Sequence, residues 1–395
     1  MAQGNLGAVH RVTASGYNFE PHIAVDPTNP QHLAAMAIKM SKFDGYFRPR
    51  GDCEFNLYLH ESWDGGESWS ELRLTESMGF DPQVVFSPDG ALYSTGLDDS
   101  RVFVREGGTE SGVTAGNRRL VQPDGGNDKP WLSIDAENGA IHLVYSGRRR
   151  GHEQAYPLVM HASYDSGASW SEPVVVEEGP VIFEGGEQIA TGPWGGQALY
   201  GGRQEMAVTW MHAPGMALDR DLEGRVWFAT SGDGGRSFSA AELLAYSRGA
   251  PSSLCFEGEY YVFYTAGDLG RQKLVVSVSE DGGSSWSEYV VCDDLYSVLT
   301  PTPGVGVAPD GALDVVFYSA MEPGCYDLRA RARARDSGGP WVDACSYNVY
   351  YTCGQNGGRT WTEPLMLNEQ LILGKEFARN KGISRPGEYI GMASA

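Results

Sequence analysis

The chain has no run of apolar residues approaching the ~18 that a membrane-spanning helix requires. Its first ten residues, Met1 to His10, lack the basic start and apolar core of a signal peptide, so export is not legible in the chain as given. Cations are scarce: 30 Lys and Arg stand against 51 Asp and Glu, for a net charge of −21. Such an excess sets aside nucleic acid and anionic membrane surfaces as partners. Cysteine is limited to six residues, and none has the Cys/His spacing of a zinc site. Neither a metal nor any other cofactor is expected. The cysteines leave the redox compartment open; Cys325 with Cys345 and Cys255 with Cys292 are the expected pairs, while Cys53 and Cys353 have no evident mate. No long stretch has helical periodicity, which excludes a helical domain.

What the sequence does have is a repeated turn. SWDGGESW (Ser62 to Trp69), SYDSGASW (Ser163 to Trp170), SGDGGRSF (Ser231 to Phe238) and SEDGGSSW (Ser279 to Trp286) share one design, and GQNGGRTW (Gly354 to Trp361) is a worn copy. Asp64, Asp165, Asp233, Asp281 and Asn356 have side chains suited to accept hydrogen bonds from the N–H groups of their own turn. Gly66, Gly167, Gly235, Gly283 and Gly358 suit positive φ. The closing Trp or Phe places a large apolar ring where the chain re-enters a sheet. Alternating, β-branched segments such as FNLYLH and LVVSV enter the turns, and SELRLT and SEPVVV leave them.

The chain is therefore expected to be all-β. A unit of about 50 residues, the length of a four-stranded β-propeller blade, accounts for the spacing of the turns. The first step, Asp64 to Asp165, is double, which implies a unit without the turn around RVFVREGG (Arg101 to Gly108). Six units are visible within a single domain spanning residues 1–395. RVTASGYNFEPHIAV (Arg11 to Val25) repeats the design of RLTESMGFDPQVVF (Arg73 to Phe86), an outer strand running into the next inner strand. The N-terminal strand is thus expected to complete a last blade, with GEYIGMASA (Gly387 to Ala395) as the innermost strand of an incomplete seventh. On that reading the chain is cut short at its C-terminus.

The five turns resemble the Asp-box, or BNR repeat, of the sialidase (neuraminidase) superfamily, and the resemblance covers nearly the whole chain. It implies a propeller, with the turns on the side away from the active site. It also implies an exo-acting glycoside hydrolase on terminal sugars, a carbohydrate or glycoconjugate partner, and a secreted or periplasmic location; the alternative is a non-catalytic propeller that binds a glycan or a protein. Sialidases clamp a carboxylate with three arginines and use a tyrosine paired with a glutamate as nucleophile and an aspartate as acid/base. By that resemblance Tyr389, in Tyr389-Ile390-Gly391-Met392, is the nucleophile candidate and Asp44 or Asp52 the acid/base; the glutamate partner has no counterpart in a family motif, and Glu205, expected at the start of an inner strand near the channel, is its candidate. Arg48, Arg50, Arg203 and Arg385 are the substrate-binding candidates. The first arginine of the clamp has no match, since Asn18-Phe19-Glu20-Pro21 occupies its place.

Propeller geometry leads to the same region. The starts of the inner strands converge on one mouth of the central channel, where ligands bind. That ring is expected to hold Glu20, Asp81, Lys129, Glu205, Thr300 and Tyr389. An acidic ring suits a neutral sugar, a cation or a basic peptide better than sialic acid. Two basic clusters, Arg148 to Arg150 and the alternating Arg329, Arg331, Arg333 and Arg335, would oppose that charge if they faced the mouth.

Overall fold

The computed structural model describes residues 10–13, 17–40, 54–109, 118–122, 125–147, 156–179, 182–184, 187–202, 205–214, 224–247, 249–267, 272–295, 302–319, 346–368, 372–373 and 390–394. These form six antiparallel sheets, taken in chain order as blades 1 to 6. The innermost strands are Tyr17–Asp26, Gly79–Phe86, Asn127–Ile134, Glu187–Gly202, Ser252–Phe256 and Gly304–Val307. Blade 4 gains a short extra strand, Ile182–Glu184, on the lead-in of its innermost strand. Blade 2 is the unit without the repeated turn. Its third strand, Arg101–Glu106, runs into Gly107 and Gly108, whose carbonyls accept from the Arg105 guanidinium.

Each full turn closes the third strand of its blade onto the fourth. In the first, Ser68 N–H donates to Asp64 Oδ1 at 2.9 Å and the Ser68 hydroxyl to Oδ2 at 2.6 Å. Gly66 N–H donates to Ser62 Oγ at 2.8 Å, and Trp69 Nε1 donates to the Gly66 carbonyl at 2.9 Å. Asp165, Asp233 and Asp281 repeat the carboxylate bonds with Ser169, Ser237 and Ser285. These bonds, led by that from the Ser68 hydroxyl, hold the Asp64 carboxyl near pKa 2. Glycine is required at the fifth position twice over. Gly283 has φ +95°, and a Cβ there would run into the Phe228 ring of the preceding blade.

Packing lies between blades. One core joins Met36, Ile38, Leu57 and Leu59 of blade 1 to Val84, Phe86 and Phe103 of blade 2. Others join blades 2 and 3 through Leu97 and Leu143, 3 and 4 through Met160 and Trp210, and 5 and 6 through Val276 and Phe317. The innermost strands belong to different sheets, and side chains lace them together. Val84 N–H reaches His22 Nδ1 at 3.5 Å, Leu132 N–H bonds Gln83 Oε1, and Ser253 N–H bonds Gln197 Oε1 at 2.8 Å. Residues 390–394 lie between blades 6 and 1. Ile390 N–H donates to Thr302 O at 3.3 Å, and Gly391 N–H donates to Pro21 O at 2.7 Å.

Burial pushes the His22 imidazole down to about 4, opposed by its bond from Val84, so the ring is neutral where it accepts. A histidine whose folded pKa lies below its unfolded value stabilises the fold fully above about pH 6.5 and loses that contribution as the pH falls toward 4. Replacing His22 by Gln, the residue that makes the equivalent bond at 83 and 197, is expected to remove up to about 3 kcal/mol of the stability lost across that window. Urea unfolding at pH 7 and pH 4.5 checks it.

Two expectations change. Cys255 lies on the innermost strand of blade 5 and Cys292 on its outermost, three strand steps or about 14 Å apart. A disulfide needs Cα atoms within about 7 Å, and both thiols are free, as is Cys353. The six blades are present, but no strand forms over residues 10–13, where His10 approaches Glu67 of blade 1 at 3.8 Å. Closure by the N-terminus and a seventh blade are not seen among the described residues. Cys53, Cys325, Cys345 and the arginines at 148–150 and 329–335 lie outside them.

Candidate functional site

The mouth where the innermost strands begin carries a repeated irregularity. In blade 1, Glu20 and Pro21 together oppose a single residue, Ala37, of the second strand. Asp81-Pro82 opposes Gly96 in blade 2, and Lys129-Pro130 opposes Tyr145 in blade 3. Blade 4 repeats the two-for-one count with Gly195-Gly196 against Trp210. These are β-bulges, whose first residue adopts the left-handed conformation that normally calls for glycine. Here φ is 50° at Glu20, 53° at Asp81 and 51° at Lys129, against 67° at Gly195. Left-handed backbone costs a non-glycine residue about 1–2 kcal/mol. Three charged residues held this way in neighbouring blades are the kind of strain that concentrates at functional sites.

The bulges bring the three side chains together. Lys129 Nζ lies 2.5 Å from Asp81 Oδ1 and 3.8 Å from Glu20 Oε1. Asp81 Oδ2 also accepts the Lys129 backbone N–H at 3.2 Å. All three residues are buried, between 6% and 8% exposed, so water screens their charges weakly. The ammonium also lies 5.4 Å from the Trp194 ring centroid, in the lead-in to the blade 4 bulge. Below them His22 packs edge-on against Trp131, with centroids 5.3 Å apart. The arrangement places two carboxylates on one ammonium, with an indole at their side. Among the described residues no three His, Cys, Asp or Glu side chains gather to hold a metal.

Three members of the expected ring, Glu20, Asp81 and Lys129, are thus brought together. Glu205 is not with them. It opens the second strand of blade 4, Glu205–Pro214, opposite Gly202, and so lies exposed at the end of the blade that carries the repeated turns. The innermost strand of that blade is the preceding segment, Glu187–Gly202. Asp44, Arg48, Arg50, Asp52, Arg203, Thr300, Arg385 and Tyr389 lie outside the described residues. Trp194 escaped sequence reading because its bulge carries Gly-Gly where the others carry a charged residue and proline.

No family model matches the chain. An α-L-arabinofuranosidase from Fusarium graminearum, solved with an iminosugar inhibitor, superposes with a TM-score of 0.51 at 14% identity, over 76% of this chain and 88% of that one. A protein of unknown function from Dyadobacter fermentans does so at 0.52 and 13%, over 79% and 93%. The NanB sialidase of Streptococcus pneumoniae matches at 0.49 and 10%, over 82% and 69%. In sequence, 96 residues are 29% identical to the oligoxyloglucan-reducing end-specific xyloglucanase of Emericella nidulans, 24% of this chain and 10% of that protein. The chain therefore spans about a tenth of the length of that curated relative. The fold is a six-bladed propeller of the kind glycoside hydrolases use. The likeness extends to an arabinofuranosidase as well as a sialidase, and so is not to sialidases in particular.

Proposed function

We propose that the protein acts on glycans at the channel mouth, as an exo-acting glycoside hydrolase on terminal sugars. The observation that carries this reading is the placement of Glu20 and Asp81 on one buried ammonium by strained bulges in neighbouring blades. Glycoside hydrolysis uses two carboxyl groups flanking the scissile bond. One gives its proton to the leaving oxygen, and the other either accepts a proton from the attacking water or attacks the anomeric carbon itself. The two legs from Lys129 Nζ keep Glu20 and Asp81 no further apart than such pairs stand. Lys129 fixes both in direction. Propeller glycosidases among the structural relatives support the reading. Tyr389, which directly precedes the bonded Ile390, is proposed as the nucleophile, with Asp44 or Asp52 as acid/base, should the substrate be a sialoside. A second reading, glycan binding without turnover, is favoured by the ion pairing of Lys129 itself.

The test is hydrolysis of aryl arabinofuranosides, xylosides and a sialoside by the wild type, Glu20→Gln, Asp81→Asn and Tyr389→Phe. Loss of about 100-fold or more in kcat/KM on a neutral glycoside in Glu20→Gln and Asp81→Asn is expected, with Tyr389→Phe decisive only for the sialoside. Binding without turnover would select the second reading.

A further inference from the structure

The innermost strands of blades 2 and 3 belong to different sheets, so no backbone ladder sets one against the other. Side chains that follow the bulges make the ties instead. His22 accepts the Val84 N–H at 3.5 Å, and Gln197 accepts the Ser253 N–H at 2.8 Å. Gln83 makes two bonds to one residue: its Oε1 accepts the Leu132 N–H, and its Nε2 donates to the Leu132 carbonyl at 2.9 Å. Both Gln83 and Leu132 are buried. Two parallel bonds fix rotation as well as distance, which a single bond leaves free. Gln83 stands two residues after Asp81 and Leu132 three after Lys129, with Pro82 and Pro130 in between. Proline holds φ at about −65°, so a shift at either end of this clasp is carried into the bulge rather than absorbed before it. There Asp81 Oδ1 lies 2.5 Å from the Lys129 ammonium, and Asp81 Oδ2 accepts the Lys129 N–H at 3.2 Å.

We propose that Gln83 is a positioning residue that holds Asp81 in register with Lys129 across the seam between blades 2 and 3, an inference that rests on the proposed function of the mouth. Gln83 lies behind the bulge and takes no part in bond making. Its effect on turnover passes through Asp81 and Lys129, and a displacement of a reacting group by ~1 Å is enough to cost about 100-fold in rate. Gln197 supplies the comparison. It is the same residue type, equally buried, and bonds an N–H of the next innermost strand, but it joins blades 4 and 5, where the bulge carries Gly195 instead of a charged residue. Removing that tie weakens the ring without moving an ionised group of the mouth.

Steady-state hydrolysis of an aryl arabinofuranoside and an aryl xyloside by the full chain, together with acetic anhydride labelling of Lys129 read by mass spectrometry, tests this. Gln83→Met is expected to lower kcat/KM by about 10-fold or more, with the loss in kcat rather than KM, and to raise labelling of Lys129 by about 5-fold or more. Gln83→His, which brings to blade 2 the residue that accepts the N–H in blade 1, should recover part of both effects. Gln197→Met should melt below the wild type, as Gln83→Met should, yet keep kcat/KM and Lys129 labelling within about 3-fold. Equal losses in the two Met variants would reduce Gln83 to one structural tie among several and overturn the proposal. A Gln83→Met variant whose turnover and labelling match the wild type would also overturn it, and with Glu20→Gln and Asp81→Asn inactive the proposed site would still stand. A wild type that neither hydrolyses nor binds a neutral glycoside would remove the proposed function, and the labelling difference between the two Met variants would then decide the tie by itself.

Discussion

Asp81→Ala is expected to lower the free energy of unfolding by about 3–5 kcal/mol and to abolish glycan binding at the mouth. Among the described residues Asp81 is the nearest anion to the Lys129 ammonium, at 2.5 Å, and both are buried. Without Asp81 the ammonium loses its close, hydrogen-bonded partner and is left with the Glu20 carboxylate at 3.8 Å, and this penalty exceeds the net worth of the pair. Two further variants separate the causes. Asp81→Gly relieves the left-handed backbone but not the loss of the carboxylate, so it should recover only about 1–2 kcal/mol relative to alanine. Asp81→Leu with Lys129→Met and Glu20→Gln removes all three charges and should fold better than Asp81→Ala while still failing to bind sugar. Urea unfolding of the four proteins, with calorimetry of each, would show whether stability and binding part company in that way. A triple variant as unstable as Asp81→Ala would contradict the assignment of the cost to the broken charge cluster.

The second large effect is expected at the opposite end of blade 1. Both ring nitrogens of His32 are hydrogen-bonded to carboxyl groups, Nδ1 with Asp26 Oδ2 and Nε2 with Glu61 Oε1, each at 2.9 Å. The ring stacks on Trp63 at 3.6 Å and meets the edge of Phe86 from blade 2. Glu61 also accepts the N–H of Thr109, so the histidine braces the loop that replaces the missing turn of blade 2. His32→Leu leaves two buried carboxylates facing an apolar side chain and is expected to cost about 3–5 kcal/mol at pH 7. For Asp26, burial pushes the carboxyl up, but bonds from Thr28 and His32 outweigh it and hold the group below its usual range. A carboxyl with a depressed folded pKa stabilises the fold above its unfolded value, near 4, and that contribution is lost as the pH falls through the lower folded value. Without His32 the Asp26 carboxyl loses bonds that hold it down and titrates upward, so protonation relieves the variant first. The deficit of His32→Leu should therefore narrow from pH 7 to pH 4. A deficit that widened would contradict this account.

The two regions differed in how far they could be read from sequence. The mouth was partly legible because Glu20-Pro21, Asp81-Pro82 and Lys129-Pro130 recur at the same place in successive units, as an internal repeat of chemistry. Its geometry was not legible, since the left-handed bulge follows from strand pairing rather than from any residue preference, and Gly195-Gly196 hides the fourth copy. That same substitution displaced the reading of blade 4: without the proline signal, Glu205 stood as the start of an inner strand when it begins the second. The Asp26, His32 and Glu61 cluster has no motif at all. Its members meet only when three strands take their register. The turns at Asp64, Asp165, Asp233 and Asp281 were the most legible feature because each is satisfied within its own eight residues, and the same locality kept them silent about chemistry. Cys255 and Cys292 failed as a pair for the complementary reason, since closeness within one blade says nothing about which strands are neighbours.

The most direct test is where a sugar binds. A crystal structure with a bound neutral oligosaccharide should show its terminal ring at the channel mouth, with hydroxyls on Glu20, Asp81 and Lys129. A sugar on the turn-bearing face, with the Asp81–Lys129 pair untouched, would contradict the assignment of the mouth as the functional site.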